Sequence, residues 1–223
     1  MHAEAMDAQI VLFDGFDPLD VVAPYEVLVA GSDYVGGELG VHLVTAEGPR
    51  TVVSGSRGLT LGATDRLDPA KPGYVIVPGA VGPLAGDPDD GVETIPVLLA
   101  RFGETAAVDL VRAALANPDI TVATVCGGSL ALAMAGLIDG RRANTHHLGV
   151  DVLEATGVVP VSARVVDDGN LVTAGGVTSG LDLALYLLER GYGPRIAHAV
   201  EQMFAYERRG TVWSDSGREP KAW

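Results

Sequence analysis

The 223-residue chain contains one cysteine, Cys126, in the run TVATVCGGSLALAMAGL. A β-branched apolar run precedes it, and two glycines followed by an apolar helical pattern come after it. A residue on such a strand-to-helix turn projects into the crevice beyond the strand ends, and glycines remove Cβ atoms that would block close approach. The N-terminus of the following helix favours thiolate over thiol. The spacing therefore points to a reactive thiol, against the plainer reading of a buried structural cysteine. With one cysteine, neither an intrachain disulfide nor a cysteine-based metal cage can form.

A thiol nucleophile needs backbone donors and a proton-handling group. In VPGAVGP, Gly79 and Ala80 follow a strand and can aim N–H groups at the crevice, joined by that of Gly127. Two carboxylates compete for the proton. Asp20 lies early in a helix whose Pro24 cannot donate to the Asp20 carbonyl, and Glu26 lies further along the same helix. In RRANTHHLG, Thr145 and His146 are candidates for lining the pocket, as is Gly176 at the end of a later strand; a surface turn is the alternative for the two histidines. His146 and His147 are adjacent, and neither helix nor strand points neighbours the same way, so no metal pair is expected. GSRGLTLG and GAVGPLAG lack the GxGxxG spacing before a helix, so no dinucleotide site is expected either.

The elements that must position these residues alternate in type. Strands are expected over Ala8–Asp14, Leu39–Glu47, Gly73–Gly79 and Ile120–Cys126, with hairpins turning at Ser54–Gly58 and Asp168–Gly169. Helices are expected from the Asp17-Pro18 cap toward Ala30, over Thr105–Asn117 and Gly128–Ile138, over Thr178–Arg190 ended by Gly191, and over Pro194–Glu207. Such alternation with continuous apolar strands gives a mostly parallel sheet covered on both faces by helices. Between the third strand and the helix before the nucleophile strand lies Gly82–Gly103. GPLAGDPDDG is a loop by composition, and Ile95, Leu98, Leu99 and Phe102 at helical spacing predict a short helix with Pro96 in its first turn. That helix is expected to border the pocket or a dimer interface, or else merely to cover the sheet. One α/β domain over residues 1–207 and a polar tail over 208–223 complete the plan.

A net charge of −14 disfavours nucleic acid and anionic membrane as partners, since both need positive surface. The opening MHAEAMDAQ has no basic, apolar leader pattern, and no apolar run approaches a membrane span of about 20 residues. A cytoplasmic protein with no membrane partner is expected.

LFDGFDPLDVVAPYEVL, VIVPG, VCGGSLALAMAGLIDGRRANTHH and RVVDDGNLVTAGGVTSGLDLAL together resemble the ThiJ/PfpI superfamily, from about Gln9 to Tyr206. Within it the pattern is similar to the isonitrile hydratase branch. The resemblance implies the class I glutamine amidotransferase-like fold, a flavodoxin-like three-layer α/β/α sandwich, and a homodimer acting without cofactor or metal on a small molecule. It places the nucleophile at Cys126, the proton-handling carboxylate at Asp20 and the histidine after the nucleophile helix at His146. The activity implied is hydration of an isonitrile to an N-substituted formamide through a thioimidate on Cys126. An oxidation-sensing protein and a glyoxalase-like enzyme using the same thiol are the alternatives. Two positions depart from the hydratase pattern: Gly127 stands where threonine is typical, and Ala80 where a second glycine is. Sensor domains of AraC-type regulators share the pattern but continue into a helix-turn-helix region, and the absence of a basic stretch before Trp223 disfavours a DNA-binding regulator.

Overall fold

The computed structural model describes residues 6–87, 91–218 and 221. Part of the loop expected in 82–91 and the last residues of the tail fall outside the described residues.

The strands are β1 (Met6–Val11), β2 (Leu39–Thr45), β3 (Arg50–Val53), β4 (Thr60–Ala63), β5 (Asp65–Arg66), β6 (Gly73–Val77), β7 (Ile120–Val125), β8 (Arg142–Ala143), β9 (Val159–Pro160), β10 (Val165–Asp167), β11 (Leu171–Ala174) and β12 (Trp213–Ser214). The helices are α1 (Pro18–Tyr34), α2 (Ile95–Phe102), α3 (Ala107–Ala116), α4 (Gly128–Met134), α5 (Val150–Ala155), α6 (Ser179–Tyr192) and α7 (Pro194–Phe204). Eight strands make one sheet in the order β12-β10-β11-β7-β6-β1-β2-β5. Every pairing in it is parallel except the β10–β11 hairpin. The fold is α/β with a mostly parallel sheet. The central strands β6, β7 and β11 are apolar almost throughout because helices cover both of their faces. α1, α6 and α7 pack on one another as one helical layer; α2, α4 and α5 form a second group, with α3 against β7.

Because β11, β7, β6 and β1 run parallel, their carboxyl ends share one edge of the sheet. Turns leave from these ends at Gly175, Cys126, Pro78 and Leu12, which is where α/β sheets bind ligands. Four helix ends differ from the sequence expectation, the first being α1, which continues past Ala30 to Tyr34. α4 stops at Met134 rather than Ile138, because Gly136 takes a left-handed φ of 67°. α6 runs through Gly191 to Tyr192 and stops at Gly193 (φ 90°); a Cβ at Gly191 would meet the Tyr74 hydroxyl at 2.5 Å, so that glycine answers to packing. α7 stops at Phe204 because Ala205 is left-handed.

The segment after residue 207 is not all tail. Trp213–Ser214 adds β12 to the sheet beside β10, Arg208 pairs with Glu189 and Glu201, and Arg142 binds Asp215 at 3.1 Å. The helix expected at Ile95–Phe102 is present with Pro96 in its first turn, and it buries Leu98, Leu99 and Phe102. Among the described residues no helix is long and apolar enough to cross a membrane.

Candidate active site

Cys126 adopts φ 55°, the left-handed region that a residue with a Cβ rarely enters. Such a conformation costs roughly 1–3 kcal/mol and persists only where neighbours over-determine it. Here they do. The Cys126 N–H is held by the carbonyls of Ala174 (3.0 Å) and Gly175 (2.9 Å). Its carbonyl accepts from the hydroxyl of Thr145 at 2.9 Å and, more weakly, from that of Ser129 at 3.4 Å. Ser129 also donates to the Asn144 carbonyl at 2.6 Å, and Asn144 is tied to Thr173, Ala163 and Arg164. The nucleophile turn is thus fixed from β11 and from the segment ahead of α5. Its glycines allow the turn leaving β6 to press against it: a Cβ at Gly128 would lie 2.2 Å from the Val77 carbonyl oxygen, and one at Gly79 would lie 2.6 Å from the Gly127 nitrogen.

Asp17 caps α1 by accepting the Leu19 N–H at 3.0 Å, and the first turn of α1 then carries Asp20 inward. Asp20 is 0% exposed, whereas Glu26 is on the exposed face of the same helix. Asp20 Oδ2 accepts the Gly79 N–H at 2.9 Å, and Oδ1 is buried without a hydrogen bond. Burial, then the charge of Asp17, raises the Asp20 pKa well above the usual carboxylate range, opposed by the Gly79 N–H and by Cys126. The thiol is pushed up in turn, first by its own burial at 7% exposure and then by Asp20, with the Gly127 N–H opposing. The thiolate expected from the helix N-terminus is therefore not the favoured state. α4 is only seven residues long, and desolvation beside a carboxyl outweighs its end charge. Burial therefore disfavours charge on either group, and the two influence each other's titration.

The three expected backbone donors do different work. Gly79 gives its N–H to Asp20 and does not aim it into the cavity. The Gly127 N–H acts on the sulfur. Ala80 lines the cavity, and its N–H makes no hydrogen bond among the described residues.

The cavity over Cys126 measures about 380 Å³. Val81, Leu84, Ile95, Pro96, Leu99, Leu130, Met134, Val152 and Val177 form its wall; among the described residues Asp17 and His146 are its ionisable lining besides the thiol, and no lysine or arginine faces it. Two expected lining residues sit elsewhere. Thr145 is buried beneath the turn and bonds its carbonyl, and Gly176 lies behind the His146 ring, where an added Cβ would meet that ring at 3.4 Å. His146 Nδ1 accepts the Leu148 N–H at 3.3 Å, which assigns the proton of the neutral ring to Nε2. Burial, then His147, lowers its pKa, so the ring is neutral near pH 7. The adjacent rings nevertheless lie against each other, centroids 4.3 Å apart and planes tilted by 35°, because a 3-10 turn starts at His147 and breaks the regular alternation. No cluster of three or more His, Cys, Asp or Glu among the described residues could hold a metal ion. Sequence reasoning missed the clamp residues Ser129 and Asn144; serine one turn into an apolar helix was the available signal.

A model of the DJ-1/PfpI family matches residues 99–190. The chain is 36% identical over 205 residues to an isonitrile hydratase of Pseudomonas putida, covering 91% of this chain and 79% of that one. It is 28% identical over 206 residues to the HTH-type transcriptional regulator CdhR of Pseudomonas aeruginosa, covering 92% of this chain and 56% of the regulator. The crystal structure of Drosophila melanogaster DJ-1beta superposes with a TM-score of 0.74 at 20% identity, over 91% of this chain and 99% of that one.

Proposed function

The chain belongs to the DJ-1/PfpI family, and from that premise we propose that it is a cysteine-dependent hydratase converting an isonitrile to an N-substituted formamide. The observation that carries this reading is the Cys126 thiol in an apolar cavity that no lysine or arginine among the described residues lines, with the fully buried Asp20 carboxyl held behind it by the Gly79 N–H. A carboxylate- or phosphate-bearing substrate would find no counter-charge there. A neutral isonitrile needs none.

The chemistry matches the proton inventory. The Asp20 carboxyl gives its proton to the terminal carbon of R–N≡C as Cys126 Sγ bonds to that carbon, and the thiol proton passes to the carboxylate. The product is the neutral thioimidate R–N=CH–S–Cys126, with Asp20 protonated as before. Water then adds to the same carbon, the C–S bond breaks, the sulfur recovers a proton, and R–NH–CHO leaves. Neither step separates charge overall, which suits a dry pocket. The Gly127 N–H steadies the sulfur, and the unengaged Ala80 N–H is the donor available to the developing oxygen. The chemistry calls for no cofactor or metal. An oxidation sensor is less well supported, since oxidation selects exposed thiolates.

We further propose a homodimer. Leu84, Met134, Leu148 and Val152 ring the cavity mouth and are all exposed, an apolar rim that a second copy would cover.

Formamide production from alkyl isonitriles, measured beside methylglyoxal consumption for the wild type and Cys126→Ser, tests the activity. Formamide should form with the wild type and not with the variant. Methylglyoxal turnover without any formamide would replace this reading with the glyoxalase-like one.

A further inference from the structure

Position 127 has no side chain, yet the space above it is full. A Cβ built on Gly127 would lie 3.0 Å from Leu99 Cδ1 and 3.4 Å from Cδ2. Leu99 is 2% exposed and lines the cavity beside Cys126. It arrives from α2, an element separate from the nucleophile turn, and α2 is firmly seated. Phe102 packs edge-on against Phe13 with ring centroids 5.3 Å apart, Leu98 fills the cleft over Gly15, and Arg101 pairs with Glu93. The hydrocarbon beside the thiol is therefore held in place, and a side chain at 127 would have to displace Leu99 by a few tenths of an ångström.

We infer that Leu99 is a specificity-determining residue that narrows the approach to Cys126 so that slender, linear reacting groups reach the sulfur while trigonal carbons with two substituents do not. This deepens the hydratase reading and rests on it for the natural substrate. The N≡C head of an isonitrile is two atoms long and linear, so it passes Leu99 while its substituent stays in the wider apolar chamber. A carbonyl carbon or a maleimide ring must carry its full width down to the sulfur. Leu99 and Gly127 act as a matched pair, because any side chain at 127 claims the space that Leu99 fills.

The test uses the single thiol, whether or not an isonitrile is turned over. Cys126 in the intact protein is alkylated with iodoacetamide, whose reacting carbon is narrow, and with N-ethylmaleimide, whose reacting carbon is in a ring. Leu99→Ala should raise the maleimide-to-iodoacetamide rate ratio about tenfold, the scale on which pocket walls discriminate by size. Leu99→Val, the milder change, should move it the same way and decides the matter if Leu99→Ala does not fold. Gly127→Ala should lower the ratio when Leu99 is present and leave it unchanged in the Leu99→Ala background. An unchanged ratio in the folded Leu99 variants, or additive effects in the double variant, overturns the inference. Turnover of methyl isocyanide by the wild type is the separate arm. If the ratio shifts as expected but no formamide appears, the hydratase reading fails and the role of Leu99 stands. If formamide appears and the ratio does not shift, the reverse holds.

Discussion

Asp20 sets chemistry against stability more sharply than any other residue of the site. Its folded-state pKa lies above the ordinary 3.8, so the folded protein keeps a proton that the unfolded chain releases. Stability attributable to it therefore falls as pH rises from about 4 through the folded value, and is not lost on acidification. Asp20→Asn keeps an acceptor for the Gly79 N–H and removes the buried ionisable group. Its Tm should equal or exceed that of the wild type at pH 8, with the difference growing from pH 5 to pH 9, while kcat drops at least about 100-fold. A Tm deficit that is constant across pH would show that the carboxyl is only structural. The same pair governs thiol reactivity. Iodoacetamide alkylation of the wild type should accelerate only above the ordinary thiol pKa of 9.0, and Asp20→Asn should bring that rise to lower pH, because it removes the carboxyl whose charge, once ionised at alkaline pH, adds to burial in holding the thiol protonated. A wild type that alkylates fully at neutral pH would refute the neutral pair. In the sequence, turn chemistry singled out Cys126, whereas helix position left Asp20 and Glu26 open and only the family resemblance pointed to Asp20. The sequence did not reveal that Gly79 would give its N–H to Asp20, because that bond joins residues 59 apart in the chain.

At the scale of elements, two turns meeting through glycines make the site. Gly79→Ala puts a Cβ 2.6 Å from the Gly127 nitrogen and 2.9 Å from Asp20 Oδ2, and neither backbone can yield without moving the thiol or the carboxyl. The substitution should cost about 1–3 kcal/mol in urea unfolding and reduce kcat more than it raises KM. A stable, fully active variant would mean that the two turns are not a matched unit. Strands and long helices were legible because period and punctuation agree with them: β6 and β7 are continuous apolar runs, and α2 shows its buried face at Leu98, Leu99 and Phe102. Short pieces were not. β5, β8, β9 and α5 span two to six residues, too few for periodicity to emerge, and β8 and β9 exist only by pairing with each other. Gly191 misled for a related reason, since a glycine near a helix end reads as a stop until Tyr74 is seen against it.

For the whole molecule, the apolar rim around the cavity mouth bears on assembly. Light scattering at micromolar concentration should give a mass near twice the 23.0 kDa of the chain, and Leu148→Asp should shift it toward the single-chain value. A monomeric wild type would leave the rim without the second copy proposed for it. The far edge of the sheet has a different consequence. Both tryptophans of the protein lie in its last eleven residues, and Trp213 docks in β12 with the Arg142 guanidinium 5.9 Å from its ring centroid. Indole emission is thus a gauge of the closing segment and nearly blind to the hydrophobic core, whereas far-ultraviolet dichroism reads the helices. In a denaturant titration the two signals should separate, with emission shifting to the red before ellipticity is lost, so that a single optical trace would misstate how cooperatively this protein comes apart.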